Sequence, residues 1–430
     1  MRISRVLPAT VATLALTGTA LVPATAARPE PSHGPSHGAP GCYDTSRTTT
    51  VEQDRLDRRA PRLILARSGA DARVAAFAAA LCRVDPGRQA RTTVERHGHA
   101  LWRWATDRAQ GRTAARGTLP GGDDRPLYWA RVAMTRLLTQ WVPQEKLRPT
   151  ARAKLLDVLE TTSRGQDTVR THHHGDGARV RKVLVTGFDP FTLDVDTRIG
   201  NPSGAVALAL DGRKIRTKRG WARIETAMFP VRWDDFADGE VERTLARKVK
   251  RGLDALVTVS QGRPDQFDLE VWNGAHRGGF ADNENLERTG TIPVPDGYPT
   301  VTPQPQFTRT SLPVKRMKKQ DTGDYRVRIN REITEMDPST GEERTHTDGP
   351  TPGWQALAGG GGDYLSNEIA YRATLLRDGA GADNAGGHVH TPVLGVPDKK
   401  RISDRGYVSR RDAIIEQTLR LVRAAVAARR

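Results

Sequence analysis

The sequence predicts an α/β protein: a three-layer α/β/α domain with a mostly parallel sheet, preceded by a small all-α domain. From about residue 181 onward, short apolar runs typical of buried strands alternate with helical segments, a pattern that produces parallel sheets. Between about residues 71 and 164, apolar residues recur at helical spacing instead. A polar stretch, residues 165–180, separates the two patterns and predicts a linker between a helical domain, residues 42–164, and an α/β domain, residues 181–430.

The composition is that of a soluble globular protein. The chain has 430 residues, of which 37% are hydrophobic and 27% charged, and this length suggests two or three domains. A formal net charge of +17 indicates either a polyanionic partner or basic residues spread over solvated helix faces. The basic residues are scattered and aromatic residues are only 5%, which favours the second interpretation. We therefore expect no nucleic-acid partner.

The N-terminus has the layout of a secretory signal peptide. Arg2 and Arg5 precede an apolar stretch at residues 6–22, and Ala24-Thr25-Ala26 forms a small-x-small cleavage signal. Pro8 and Gly18 interrupt the apolar stretch, which argues against a membrane anchor. No later segment reaches the roughly 18 consecutive apolar residues that a membrane span needs. We expect residues 1–26 to be removed and the mature chain to be secreted, with no membrane span.

The region after the signal peptide combines a linker, a cysteine pair and four helices. Residues 27–41 are rich in proline, glycine and serine, which predicts a flexible linker. Cys42 and Cys82 are the two cysteines, and an even count in an exported protein favours a disulfide over two free thiols. In the helical domain, Asp123 or Asp124 is expected to cap the third helix. The apolar stripes that indicate the four helices lie at residues 74–81, 101–105, 127–141 and 155–159.

Strands and helices alternate through the second half of the chain. Apolar strands are predicted at residues 183–186, 224–229 and 256–259, and another strand is expected to carry His388 and His390. The helices are predicted at residues 201–210 and 234–250, after Ser366, and at about 410–425. In parallel sheets of this kind, ligands bind at the carboxyl ends of the strands.

Residues suited to acyl transfer follow these predicted strands. Ser366 comes after the glycine turn at residues 359–362 and opens a helix, whose first amides are suited to binding an oxyanion. His390 lies in the next strand, and the carboxylates of Glu270 and Asp282 follow an earlier one. A nucleophile, a base and an orienting acid are the groups that acyl transfer needs. Because these residue types are common, their spacing alone is weakly specific.

Nine short motifs make the pattern more specific. In chain order they lie at residues 187–191, 201–203, 230–231, 259–261, 270, 282–283, 312–314, 362–371 and 387–392. In this order they resemble pyroglutamyl peptidase I, also called pyrrolidone-carboxylate peptidase, over about residues 181–425. The resemblance implies an omega peptidase that removes N-terminal pyroglutamate from peptides and needs no cofactor or metal.

The resemblance also implies roles for individual residues. Ser366 stands where the family has its nucleophilic cysteine, and His390 would act as base and then as acid. Glu270 falls at the family's catalytic glutamate, and Glu270 or Asp282 would orient His390. Gln261 is expected to help bind the oxyanion.

Two further groups of residues are open to structural interpretations. Phe188 and Phe191 are expected either to wall a pocket for a flat lactam ring or to belong to the ordinary core. His388 is expected to be a packing residue, and the histidine tract at residues 172–174 to be a solvated linker rather than a metal site.

The sequence departs from the family pattern at several places. A helix N-terminus and a histidine can ionise a cysteine, but a serine hydroxyl is far less acidic. The segment 271–273 differs from the family, a polar insertion is expected at about residues 320–351, and export contrasts with a cytosolic family. Two alternatives therefore stand beside a peptidase: an inactive module that binds pyroglutamyl or related peptides, and an extracellular interaction protein acting through its basic helical domain.

Overall fold

Helices dominate the chain before residue 165. The computed structural model describes residues 41–113, 117–170, 180–319 and 323–426, so the predicted signal peptide, most of the first linker and the histidine tract lie outside the described residues. Within this part the helices that precede the sheet are α1 Val51–Asp54, α2 Arg59–Ser68, α3 Asp71–Leu81, α4 Arg88–Ala109, α5 Arg125–Gln140 and α6 Pro149–Ser163. These bounds match the four predicted helical stripes, and α1 and α2 are additional.

The start of α5 shows how a local signal sets a helix boundary. Pro126 occupies its first turn, where the missing N–H costs no hydrogen bond. Asp124 is the N-terminal cap residue but makes no side-chain capping bond, and Asp123 Oδ1 accepts instead from the Arg125 amide at 3.1 Å. Of the two candidate caps, Asp123 therefore supplies the side-chain acceptor.

Cys42 and Cys82 form a disulfide, as the even cysteine count predicts. The bridge ties the segment before α1 to the end of α3, and the Tyr43 hydroxyl donates to Ala78 O at 2.8 Å beside it. Cross-links across a loop of this length stabilise a fold by about 4 kcal/mol in the chain-entropy treatment.

A seven-stranded, mostly parallel sheet forms the second half of the chain, confirming the predicted fold class. The strands are β1 Arg181–Phe188, β2 Lys214–Thr217, β3 Gly220–Phe229, β4 Ala255–Gln261, β5 Gln266–Glu270, β6 Trp272–Gly274, β7 His276–Gly278, β8 Thr289–Thr291, β9 Phe307–Arg309, β10 Arg326–Asn330, β11 Ile333–Met336, β12 Glu343–His346, β13 Gln355–Ala358 and β14 Ala385–Thr391. The main sheet has the order β10-β5-β14-β4-β1-β3-β2. Only the β14–β5 and β2–β3 pairs are antiparallel within it.

Helices cover both faces of this sheet, as the apolar strands require. They are α7 Pro202–Leu210, α8 Trp233–Ala237, α9 Glu240–Lys250, α10 Val314–Lys318, α11 Leu365–Gly379 and α12 Arg405–Val426. Successive residues of β1 serve different faces: Val183 and Val185 pack with α7 and α12, whereas Leu184 packs with α9 and α11. This alternation gives the three-layer α/β/α arrangement.

The helical region packs against α7 and β3. Trp102 of α4 and Leu127 of α5 share one apolar cluster with Ala207, Leu208 and Met228. The described residues all belong to one unit of the chain. None of the described helices is both long and apolar enough to cross a membrane.

Two parts of the fold differ from the expectations. The predicted helix at residues 234–250 is divided into α8 and α9, because Gly239 between them has a φ of +79° and breaks the helical path. The segment expected as a polar insertion, residues 320–351, contains β10, which forms an edge of the main sheet by pairing with β5. Its strands β11 and β12 join β13 in a separate three-stranded sheet.

Candidate active site

A buried histidine–carboxylate pair lies at the centre of the candidate site. His390 Nδ1 is 2.8 Å from Glu270 Oε1, and both side chains are buried. The pair forms because β14 and β5 are antiparallel neighbours, with Glu270 opposite His388 and Asp268 opposite His390. A carboxylate on Nδ1 fixes the ring tautomer and leaves Nε2 as the proton acceptor.

Asn330, the last residue of β10, holds the other oxygen of Glu270. Its Nδ2 donates to Glu270 Oε2 and to Gly360 O, both at 2.8 Å. Asn330 lies in the segment expected as an insertion, so its part in the site was missed. The alternation of apolar Val327 and Ile329 just before it is a strand signal that could have indicated its position.

His388 is a packing residue, as expected. Its Nδ1 is 2.8 Å from Thr258 Oγ1 and its Nε2 is 2.7 Å from Ser260 Oγ, so both ring nitrogens have hydroxyl partners on β4. Burial, and then the neighbouring His390, hold its pKa well below the usual value, so the ring is neutral.

Ser366 lies in the first turn of α11, close to the glycine turn at residues 359–362. Its Oγ donates to Gly361 O at 3.3 Å. Gly361 also faces His390, since an added Cβ would lie only 2.7 Å from His390 Cε1. A Cβ on Gly360 would overlap Glu270 Oε2. Gly361 therefore adjoins both Ser366 and the imidazole. Gly359, Gly360 and Gly361 have no room for a side chain, whereas Gly362 faces open space.

The sequence-predicted binding residues surround one cavity. Phe188, Phe191, Gln261 and Ser366 all line one narrow cavity, together with parts of β4 and the start of α11. Gln261 Oε1 accepts from Leu394 N at 3.2 Å, which leaves the amide nitrogen of Gln261 as its donor group. The cavity thus joins an aromatic wall, an amide and the Ser366 hydroxyl.

The turn that carries the two phenylalanines is held by the helical region. The Asp189 carboxylate is fully buried and pairs with Arg131 of α5 and, at 2.7 Å, with Arg164 at the end of α6. The side-chain Nδ2 of Asn201 donates to Asp189 O at 2.8 Å, and the backbone N–H of Asn201 donates to Asp124 Oδ2 at 2.8 Å. The helical region therefore supports one wall of the cavity.

A second set of polar contacts reaches the same turn through Asn283. Its Nδ2 donates to Pro190 O at 2.9 Å and to Glu52 Oε1 at 3.0 Å. Glu52 also accepts from the Tyr128 hydroxyl at 2.8 Å and pairs with Arg232 at 3.1 Å. Buried polar groups are tolerated when paired in this way.

Asp282 organises a loop and does not orient His390. Its Oδ2 accepts from the Trp233 amide at 2.7 Å, and its Oδ1 accepts from the amides of Glu284 and Leu286 at 2.8 and 2.9 Å. Three backbone donors thus occupy the carboxylate. Of the two candidate orienting acids, Glu270 is the one that contacts His390. In the described ranges, no cluster of three or more His, Cys, Asp or Glu residues is placed to hold a metal ion.

Both halves of the chain match models of one protein family. Residues 32–160 match the family model described as the PA0049 N-terminal domain, and residues 182–303 and 326–395 match the PA0049 C-terminal domain. The chain belongs to the PA0049 family. The uncharacterized protein PA0049 of Pseudomonas aeruginosa is 36% identical over 481 aligned positions, which cover 88% of this chain and 86% of that protein.

Solved structures similar to this chain include two peptidases. Pyroglutamyl peptidase I of Bacillus amyloliquefaciens has a TM-score of 0.38 and 20% identity, covering 58% of this chain and 98% of its own. The pyrrolidone carboxyl peptidase of Pyrococcus furiosus has a TM-score of 0.35 and 21% identity, covering 55% and 99%.

Proposed function

We propose that this chain is a hydrolase that removes N-terminal pyroglutamate from peptides, with Ser366 as nucleophile. The observation that carries the proposal is the buried hydrogen bond between His390 Nδ1 and Glu270 Oε1, next to a turn that contacts Ser366. The aromatic cavity that includes Ser366 is suited to a flat, mostly apolar ring. The motifs at residues 187–191, 362–371 and 387–392 support the same reaction.

The proposed reaction uses each group for one task. Ser366 Oγ attacks the pyroglutamyl carbonyl carbon while its proton passes to His390 Nε2, and the resulting oxyanion is bound by first-turn amides of α11 and by the Gln261 amide. The C–N bond then breaks and His390 returns the proton to the leaving amine. Water, deprotonated by His390, attacks the acyl ester, and its proton finally returns to Ser366 as free pyroglutamate leaves.

A second candidate function is a binding module for pyroglutamyl peptides. The observation that favours it is the hydrogen bond of the Ser366 hydroxyl to Gly361 O, because a hydroxyl that donates to a carbonyl is not poised to give its proton to a histidine. Both candidates use the same cavity and differ in turnover alone.

The deciding experiment compares the natural protein with Ser366→Ala and Ser366→Cys on a fluorogenic pyroglutamyl amide. The peptidase proposal expects slow hydrolysis by the natural protein, loss of it in Ser366→Ala, and a rate at least about tenfold higher in Ser366→Cys, because a thiolate is the stronger nucleophile. Ser339→Cys is the matched control, since it places a thiol on the exposed β11–β12 turn.

Two outcomes would contradict the peptidase proposal. If none of the proteins turns the amide over but calorimetry detects pyroglutamyl peptide binding, the binding module is the function. If neither turnover nor binding is measured, both proposals are wrong.

We also propose that the protein is exported after cleavage behind Ala26, on the basis of the signal-peptide pattern and of a disulfide that suits oxidising compartments. Mass spectrometry of culture medium and cells tests this. A mature chain that begins at Ala27 in the medium is expected, and an intact Met1 retained in cells would contradict it.

A further inference from the structure

A second concave surface, the tryptophan groove, lies beside the candidate site. It is a groove of about 590 Å³ between the β6–β9 ribbon and the segment that leads into β13. Its ring-bearing side chains are those of Trp272, Phe307, Pro350 and Trp354, and the amide side chains of Gln306 and Gln355 lie at its edge. Both indoles are half-buried and line the groove.

The tryptophan groove is connected to the catalytic pair by the main chain. Trp272 follows Glu270 by two residues, and its carbonyl accepts from the Gly360 amide at 2.9 Å. Gly360 and the next residue, Gly361, lie against Glu270 and His390. The groove therefore adjoins the side of the glycine turn that contacts the proposed acid and base.

The chemistry of the groove favours ring-bearing groups. The Arg309 guanidinium stands 5.4 Å from the centroid of the Trp272 ring, and that of Arg344 stands 4.7 Å from the Trp354 ring. Cation–π contacts of this kind hold an indole in place. Gln306 Oε1 accepts from the Ala356 amide at 2.9 Å, so the nitrogen of this side chain is the group left to donate. Fixed aromatic faces with a few amide donors are typical of grooves that bind extended peptides with proline or aromatic residues.

We propose that the tryptophan groove binds the part of a peptide that follows the scissile bond and selects a proline or aromatic residue there. The proposal rests on the proposed function for its direction: His390 must protonate the leaving amine, so the leaving peptide passes on the His390 side of the glycine turn, where the groove begins. The substrates are then extended peptides rather than free pyroglutamyl amides.

The test uses the complete chain and two kinds of substrate. One is a short fluorogenic pyroglutamyl amide, and the other is a pyroglutamyl hexapeptide with tryptophan, phenylalanine or proline at the positions after pyroglutamate. The natural protein is expected to show a kcat/KM about tenfold higher for these peptides than for a matched glycine–serine peptide. Trp354→Ala should remove that preference through KM and leave turnover of the short amide unchanged. Trp354→Phe should keep most of the preference.

The matched control is Trp221→Ala. Trp221 is 50% exposed on β3, outside the groove, and its removal should change neither substrate's kinetics. Thermal melting of each variant identifies any that fail to fold. If Trp354→Ala is one of them, Trp354→Leu, which keeps an apolar side chain without a ring, replaces it and should also remove the preference.

Calorimetry with an acetylated hexapeptide that lacks pyroglutamate separates this proposal from the proposed function. Binding by the natural protein that falls at least about tenfold in Trp354→Ala supports the groove even if no variant hydrolyses the short amide. Hydrolysis of the short amide with no length or ring preference and no binding of the acetylated peptide overturns the groove alone. Binding of an oligosaccharide or oligonucleotide in place of the peptide also overturns it.

Discussion

The turn at residues 188–191 and the turn at residues 359–362 both contribute to the candidate site, but different interactions hold them. The first is fixed by buried charge: Asp189 pairs with Arg131 and Arg164 of the helical region. The second is held by backbone hydrogen bonds, with the Gly359 amide bonded to Gly362 O at 2.9 Å and the Gly360 amide to Trp272 O at 2.9 Å.

The two turns should therefore be sensitive to different kinds of substitution. A turn held by buried ion pairs is vulnerable to the loss of one charge, because the remaining charge is left desolvated. The glycine turn is vulnerable to added volume, because Gly359, Gly360 and Gly361 have no space for a Cβ. The helical region thus contributes directly to the stability of one wall.

The largest effect is expected for Asp189→Ala. The substitution leaves the buried guanidinium groups of Arg131 and Arg164 without that anion, which should lower the free energy of unfolding by about 3–5 kcal/mol. Urea denaturation measures it. The control is Asp57→Ala, which removes the exposed partner of Arg136 and should change stability by less than about 1 kcal/mol. Equal losses in the two variants would show that the buried pairs do not hold the turn.

A smaller effect, confined to the site, is expected for Gly361→Ala. The new Cβ would lie 2.7 Å from His390 Cε1, so the imidazole must shift. Misplacement of a catalytic group by about 1 Å can cost about a hundredfold in rate, and we expect a loss of 10- to 100-fold in the proposed hydrolysis. An altered His390 signal in NMR spectra reports the shift even without turnover.

The control for that variant is Gly406→Ala. Gly406 lies in the first turn of α12, and the atoms nearest to its added Cβ are side-chain atoms of Asp404 and Arg410 at 3.3 and 3.4 Å. This alanine should leave the His390 signal unchanged. An unchanged signal in Gly361→Ala as well would mean that the glycine turn yields to added volume.

Local sequence signals were enough for the elements and for several residues of the site. The alternation of strands and helices predicted the strand that carries His390, whereas β5, which carries Glu270, was not predicted as a strand. The pairing of β5 with β14 brings those two side chains into contact. The disulfide followed from the cysteine count. Such features depend on short segments, whose hydrophobic patterns can be recognised in a single sequence.

Contacts between distant segments could not be predicted in the same way. Arg131 lies 58 residues from Asp189, and Asn330 lies 60 residues from Glu270. A buried charge leaves no periodic signal, since arginine and aspartate are usually at the surface. Asp282, the alternative acid for orienting His390, was wrong for a related reason: the backbone amides that occupy its carboxylate are visible only once the loop is folded.

The effect of a change of one pH unit is expected to be the smallest of these, and it concerns the same charged wall. Asp124 is completely buried, and its Oδ2 accepts a hydrogen bond from the backbone amide of Asn201 at 2.8 Å. Burial, and next the neighbouring Asp123, raise the pKa of Asp124 to about 7, whereas Arg125 lowers it. Because the pKa in the folded state lies above the usual value of about 4, the stabilising contribution is complete below about pH 4 and is lost as the pH rises through 7.

We therefore expect the free energy of unfolding to fall between about pH 5 and pH 7 and to level off above, with Asp124 contributing at most about 1.4 kcal/mol per pH unit. Asp124→Asn keeps an acceptor for Asn201 but has no proton to lose, so its curve should be flatter. Glu225 and Glu240, whose pKa values burial also raises to about 7, are present in both proteins, and the difference between the two curves isolates Asp124. Urea denaturation at several pH values measures it, and parallel curves would contradict the assignment. Hydrogen exchange should report the change first at residues 188–191, because Asp124 reaches that turn through Asn201.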